Sequence, residues 1–133
     1  MHEKIYYGYV NRKGDVRVSS YNLKTDEEET FVLHPELQVD DHNVPTFLFL
    51  PDGKLLTFYN RHSGNIYMRK SKYAESVVDW EEEVILLEQD SLSRYCYTNP
   101  VMLSGENNRI YLFGRNIANS KTGKYSDTRI YLI

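Results

Sequence analysis

An all-β fold, a partial β-propeller of about three antiparallel blades, is what this sequence predicts, on three observations. Short runs rich in Val, Ile, Tyr and Phe alternate apolar with polar residues, as half-buried strands do. Glycine, proline, asparagine and aspartate punctuate those runs at turn positions. The runs recur at near-constant spacing. Aromatic residues make up 14% of the chain, with 12 Tyr, which suits strands, and no helix is expected beyond a turn or two.

The clearest element is the hairpin from Val44 to Leu56. Phe47 and Phe49 lead into Pro51-Asp52-Gly53, a type I turn with glycine at its exit, and Leu55, Leu56, Phe58 and Tyr59 lead out. This unit repeats. Lys4 to Tyr9 falls over Lys54 to Tyr59 at an offset of 50, and Asp15 to Val18 falls over Asn65 to Met68 at the same offset. With a small slip, Phe31-Val32-Leu33 continues over Val84-Ile85-Leu86. A third copy begins at Asn99-Pro100, with Pro100 over Pro45, Arg109 to Phe113 over Lys54 to Phe58, and Arg129 to Leu132 over Asn65 to Met68. A period of about 45 to 55 residues with about four short strands per unit is the pattern of propeller blades.

One partial propeller domain is therefore expected over residues 1–133, with blades at about 3–38, 44–88 and 97–133. A propeller closes with roughly four to eight blades, so the chain reads as part of a larger propeller or as one that closes its sheets against copies of itself. An open fan of blades leaves apolar faces at its ends, and burying several hundred Å² of them at ~25 cal/mol per Å² is worth several kcal/mol. Self-association, in the simplest case a two-fold dimer, is the expectation.

Several classes are disfavoured. A formal net charge of -3 and the lack of a basic stripe argue against nucleic acid as a partner. No apolar run approaches the ~20 residues of a membrane helix, so no membrane partner is expected. Asp26-Glu27-Glu28-Glu29 reads as a solvated turn, and the lone Cys96, between Tyr95 and Tyr97, reads as a buried strand thiol. Met1-His2-Glu3-Lys4 does not resemble a signal peptide, which leaves localisation open. No zinc-type Cys/His spacing, phosphate-binding glycine loop or G-x-S-x-G is present, so neither a cofactor nor a metal is expected. Asp40 and Asp41, just before His42, could in principle bind a cation beside it, but neighbours on an extended strand point to opposite faces, which argues against one shared ion.

Histidines supply the candidate chemistry. His42 precedes the first strand of the hairpin and His62 follows the second, so antiparallel pairing brings both imidazoles to one end. His2 and His34 lack such a context and read as surface residues.

The strings D-D-H-N-V-P (Asp40 to Pro45), L-P-D-G-K-L-L-T-F-Y (Leu50 to Tyr59), R-H (Arg61, His62), I-Y-M-R-K-S (Ile66 to Ser71), D-W (Asp79, Trp80), Y-T-N-P-V (Tyr97 to Val101) and I-Y-L-F-G-R (Ile110 to Arg115) resemble the BNR-4 group of sialidase-like propellers, which includes propeller-type ulvan lyases. The resemblance covers roughly Tyr6 to Ile133. It implies a seven-bladed architecture of which this chain represents the N-terminal blades, and a family that is often secreted. Asp79-Trp80 sits where such propellers carry an Asp-box turn; the usual glycine is absent, and the expected role is a structural turn with Trp80 packed between blades.

For activity, the resemblance implies a polysaccharide lyase that cleaves a uronate-containing chain by β-elimination. It places the family's active histidines on His42 and His62, its tyrosine on Tyr97 and its arginine on Arg115. Asn43 would orient or bind substrate, and Arg61, Tyr95 and Asn99 are further binding candidates near the same rim. Tyr95 remains an alternative to Tyr97, since the two share a face on a regular strand. Histidine suits a base because its pKa lies near neutrality, and arginine grips a carboxylate bidentately. A non-catalytic carbohydrate-binding or scaffold propeller is the alternative, and a sialidase-like glycosidase is a further one. A funnel draws residues from several blades, so this chain alone is expected to be inactive or nearly so.

Overall fold

The computed structural model describes residues 3–90, 94–105, 107–116 and 128–132. Among them, three antiparallel sheets follow one another along the chain. The first holds β1 (Lys4–Val10), β2 (Val16–Asn22) and β3 (Glu28–His34). The second is four-stranded, with β4 (Thr46–Phe49), β5 (Leu55–Asn60), β6 (Ile66–Lys70) and β7 (Val84–Leu87). The third holds β8 (Tyr95–Leu103), β9 (Arg109–Asn116) and β10 (Thr128–Leu132). Each sheet is a meander in which sequential strands pair, the pattern of propeller blades. The repeat read in the sequence places β1 over β5, β2 over β6 and β9 over β5; β5 and β9 are each flanked by a strand on both sides, whereas β1 is the edge of its sheet, with no counterpart of β4 before it among the described residues.

Local chemistry sets the central hairpin. Pro51 pre-sets φ for the first turn position, and Gly53 takes the left-handed conformation at φ 78 and donates its N–H to the Leu50 carbonyl at 2.9 Å. The resulting register pairs Leu48 with Leu56 and Thr46 with Phe58.

All six residues of β5 are buried, which is why both of its alternations carry bulky side chains. Leu55 and Tyr59 join Val16, Val18, Leu33, Val77 and Trp80 in a core between the first and second sheets. Leu56 and Phe58 join Ile66, Tyr95, Ile110 and Leu112 in a second core, toward the third sheet. Trp80 is 4% exposed, its indole N–H donating to the Val77 carbonyl at 2.9 Å, and so packs between blades as the Asp-box-like turn predicts. Cys96 is a buried free thiol. The first two sheets touch at Gly8, where a Cβ would lie 2.6 Å from Pro45 Cγ.

Two expectations need correction. His34 is not a surface residue: it ends β3 half-buried, with Nδ1 2.7 Å from Glu83 Oε2 and its ring against Tyr67 at 5.1 Å. Glu83 also accepts from the Tyr59 hydroxyl at 2.7 Å, so a polar network bridges the first two sheets. Asp41–Asn43 is a single 3-10 turn, which removes the premise that Asp40 and Asp41 alternate across a strand. The acidic run divides between the turn and the start of β3, where Glu28 and Glu29 are exposed. His2 lies outside the described residues. Ile5 and Tyr7 on β1, and Val101 and Leu103 on β8, are exposed; these are the end faces on which the expectation of self-association rests.

Candidate functional site

The site is built on the segment joining the first two sheets. The Gly14 carbonyl accepts from the N–H groups of Leu37 at 2.9 Å and Gln38 at 3.4 Å. Gly14 sits at φ 85, and a Cβ there would meet the Gln38 backbone at 2.9 Å. The buried Asp15 accepts from the Glu36 N–H at 3.1 Å, and Asn11 and Arg17 hold the same carboxylate. The clamped segment delivers Gln38, whose Oε1 accepts from the backbone N–H of His62 at 2.9 Å. It also delivers Asp40, whose extended backbone caps the 3-10 turn.

Asp40 bridges the two histidines. Its Oδ1 accepts from the backbone N–H of His42 at 2.8 Å and lies 2.6 Å from His42 Nδ1, while its Oδ2 lies 3.0 Å from His62 Nδ1. Burial alone would raise the Asp40 pKa; the His42 backbone N–H and the ring donors of His62 and His42 outweigh it and hold the carboxyl down at about 2. An ionised acceptor at each Nδ1 places the proton there and leaves each Nε2 as the basic nitrogen of a neutral ring. The exposed Asp41 adds Oδ1 at 2.6 Å from His42 Nδ1, so the two aspartates converge on one ring. The imidazoles lie 4.4 Å apart.

Tyr97 completes the cluster from the third sheet. A bulge interrupts the β8–β9 register between Cys96 and Thr98, and Tyr97, the extra residue, takes φ 63, a conformation costly for a bulky side chain. The bulge breaks the alternation that would have put Tyr95 and Tyr97 on one face. The Tyr97 ring is exposed and 4.6 Å from His42, and the Arg115 guanidinium carbon lies over the same ring, 5.2 Å from its centroid. Linked hydroxyls of Thr46 and Thr98, 2.9 Å apart, fasten β4 to β8 near this cluster.

His42, His62, Tyr97 and Arg115 are thus brought together from two turns and from two strands of the third sheet. Other candidates fall elsewhere. Tyr95 is buried in the core with Leu56 and Phe58. Asn43 is fully buried and donates to the Gln38 carbonyl at 3.2 Å, so it orients the segment beneath the histidines and does not face solvent. Asn99 is exposed on β8 opposite Phe113, and Arg61 is exposed in the turn before His62, its carbonyl accepting from Gly64 N–H. Sequence reasoning set Asp40 aside as one of two residues on opposite strand faces, and missed Gln38. A carboxylate two residues before His42 was the available signal for Asp40; nothing local marks Gln38.

The model of a family described as BNR repeat-containing matches residues 4–128. No curated protein sequence matches the chain. The fold is similar to the solved structure of an ulvan lyase, from a new polysaccharide lyase family, bound to -[GlcA(1-4)Rha3S]-, with a TM-score of 0.70 at 19% identity over 97% of this chain. A second ulvan lyase structure gives a TM-score of 0.69 at 21% identity over 97% of this chain. At these identities the likeness is one of fold, and this chain spans 36% of the length of each.

Proposed function

Because this chain belongs to the BNR repeat-containing family, we propose that its histidine–tyrosine–arginine cluster is the reacting part of a carbohydrate-active propeller, a lyase site for uronate-containing polysaccharide. The observation that carries this reading is Asp40 bridging both Nδ1 atoms, because it leaves two Nε2 bases side by side in half-buried rings next to the exposed Tyr97. In β-elimination, an imidazole Nε2 takes the proton α to the uronate carboxylate. Arg115 neutralises that carboxylate and the charge that builds on it as the proton leaves. The bond to the leaving oxygen breaks as a carbon–carbon double bond forms, and the Tyr97 hydroxyl gives the leaving oxygen its proton. The Tyr97 ring is in contact with both His42 and Arg115, which suits an acid acting beside the base.

The test is to incubate the chain at high concentration with uronate-containing polysaccharides and follow the ultraviolet absorbance of unsaturated uronate ends, with sugar binding measured in parallel. Slow product release that His42→Ala abolishes, with binding weakened at least tenfold in Arg115→Ala, supports the reading. Product release that His42→Ala leaves unchanged, or sugar binding that Arg115→Ala leaves unchanged, contradicts it.

A further inference from the structure

The Asp40, His42 and His62 side chains carry a second capability. Their donor atoms, two imidazole nitrogens and a carboxylate oxygen, all lie within 4.8 Å of one another. Each side chain is half-buried, at 19%, 25% and 28% exposure respectively. We propose that this triad is a binding site for one late first-row divalent cation of the zinc class. Two imidazoles with one carboxylate select such ions over Mg2+ or Ca2+, which prefer all-oxygen sets. Three protein ligands leave a fourth position open to water.

The geometry needs little change. Ligand distances of about 2.0 to 2.2 Å in a tetrahedral site put donor atoms roughly 3.3 to 3.6 Å from one another. Asp40 stands 2.6 Å from one nitrogen through Oδ1 and 3.0 Å from the other through Oδ2, so binding opens these contacts by about half an ångström, in a set whose ligand atoms already lie within 4.8 Å of one another. Gln38 holds the His62 backbone and the 3-10 turn holds that of His42, so the rings are already aimed at the shared carboxylate. The cation takes the place of the two Nδ1 protons. In each neutral ring the proton moves through solvent from Nδ1 to Nε2, so none is lost overall.

This exchange has a consequence that rests on the lyase reading above. A ring ligated through Nδ1 carries its proton on Nε2 and can no longer act there as a base. The cation therefore acts as an inhibitor of the proposed elimination.

Binding is tested without any sugar, so its outcome is independent of the lyase reading. Tag-free chain is titrated with Co2+ and followed by visible absorbance, then back-titrated with Zn2+, with Mg2+ as the comparison ion. The expected result is saturation at one Co2+ per chain, displacement by Zn2+, no response to Mg2+, and at least tenfold weaker binding in both Asp40→Asn and His62→Gln with unchanged circular dichroism. Nitrogen NMR of the zinc-loaded chain is expected to show the His42 and His62 protons on Nε2. Absence of saturable Co2+ binding, wild-type affinity in both variants, or protons remaining on Nδ1 overturns the proposal.

Discussion

Asp40 Oδ2 accepts a hydrogen bond from Nδ1 of His62 at 3.0 Å, and this contact ties the segment before β4 to the turn after β5. Its partner oxygen holds His42 in the same way at 2.6 Å, so one carboxylate fixes the tautomer of both rings. In Asp40→Asn one of the two acceptors becomes an N–H donor facing a ring N–H. We expect a stability loss of about 1–3 kcal/mol in urea denaturation. Nitrogen NMR at neutral pH should show a single Nδ1–H tautomer for both rings in the wild type and a mixture in the variant.

The left-handed backbone of Tyr97 predicts an unusual order of stabilities. Tyr97→Ala loses the ring contacts with His42 and Arg115 and keeps the strained φ. Tyr97→Gly loses the same contacts and relieves the strain, which for a non-glycine residue in this region is about 1–2 kcal/mol. Glycine is therefore expected to be more stable than alanine by about 1 kcal/mol in chemical denaturation, the reverse of the order on a regular strand.

Acid should act through Glu83. Burial raises its pKa, but hydrogen bonds from His34 and Tyr59 outweigh that and bring it below the ordinary 4.5. A carboxyl depressed in the folded state contributes stability that is present above its unfolded pKa and is lost as pH falls through the folded value. Glu83→Gln is thus expected to be less stable than wild type at pH 7, with the gap closing below about pH 4.5. A gap that stays constant down to acid pH would remove Glu83 from the network.

Close approach of the first two sheets makes Gly8 irreplaceable. A Cβ would meet Pro45 Cγ at 2.6 Å and the Pro45 carbonyl oxygen at 2.8 Å, so Gly8→Ala is expected to cost about 1–3 kcal/mol. Gly105→Ala, where a Cβ meets nothing within 4 Å, is the neutral comparison. Thermal denaturation of the pair measures the difference.

The blade pattern was legible because period-two alternation and the Pro51-Asp52-Gly53 turn are local, and a repeat multiplies a local signal. The meeting of His42 and His62 followed from the same hairpin register. What the sequence hid was set by irregular backbone or by packing between blades. Asp40 turns back onto both rings only because Asp41–Asn43 leaves the strand geometry. Tyr95 and Tyr97 part company because of a bulge that no residue pattern announces. The partner of His34 is Glu83, 49 residues away, and only the stacking of two sheets brings them into contact. Asn43 has the composition of a binding residue and the burial of a structural one.

The central claim, that the cluster around Asp40 receives a uronate sugar, is tested most directly by NMR titration of the chain with a uronate-containing oligosaccharide. The predicted result is saturable shifts at His42, His62, Tyr97 and Arg115, with His34 unchanged. Shifts confined to Tyr6 and Phe49, which line a separate apolar pocket, or an absence of any response at the histidines, would contradict it.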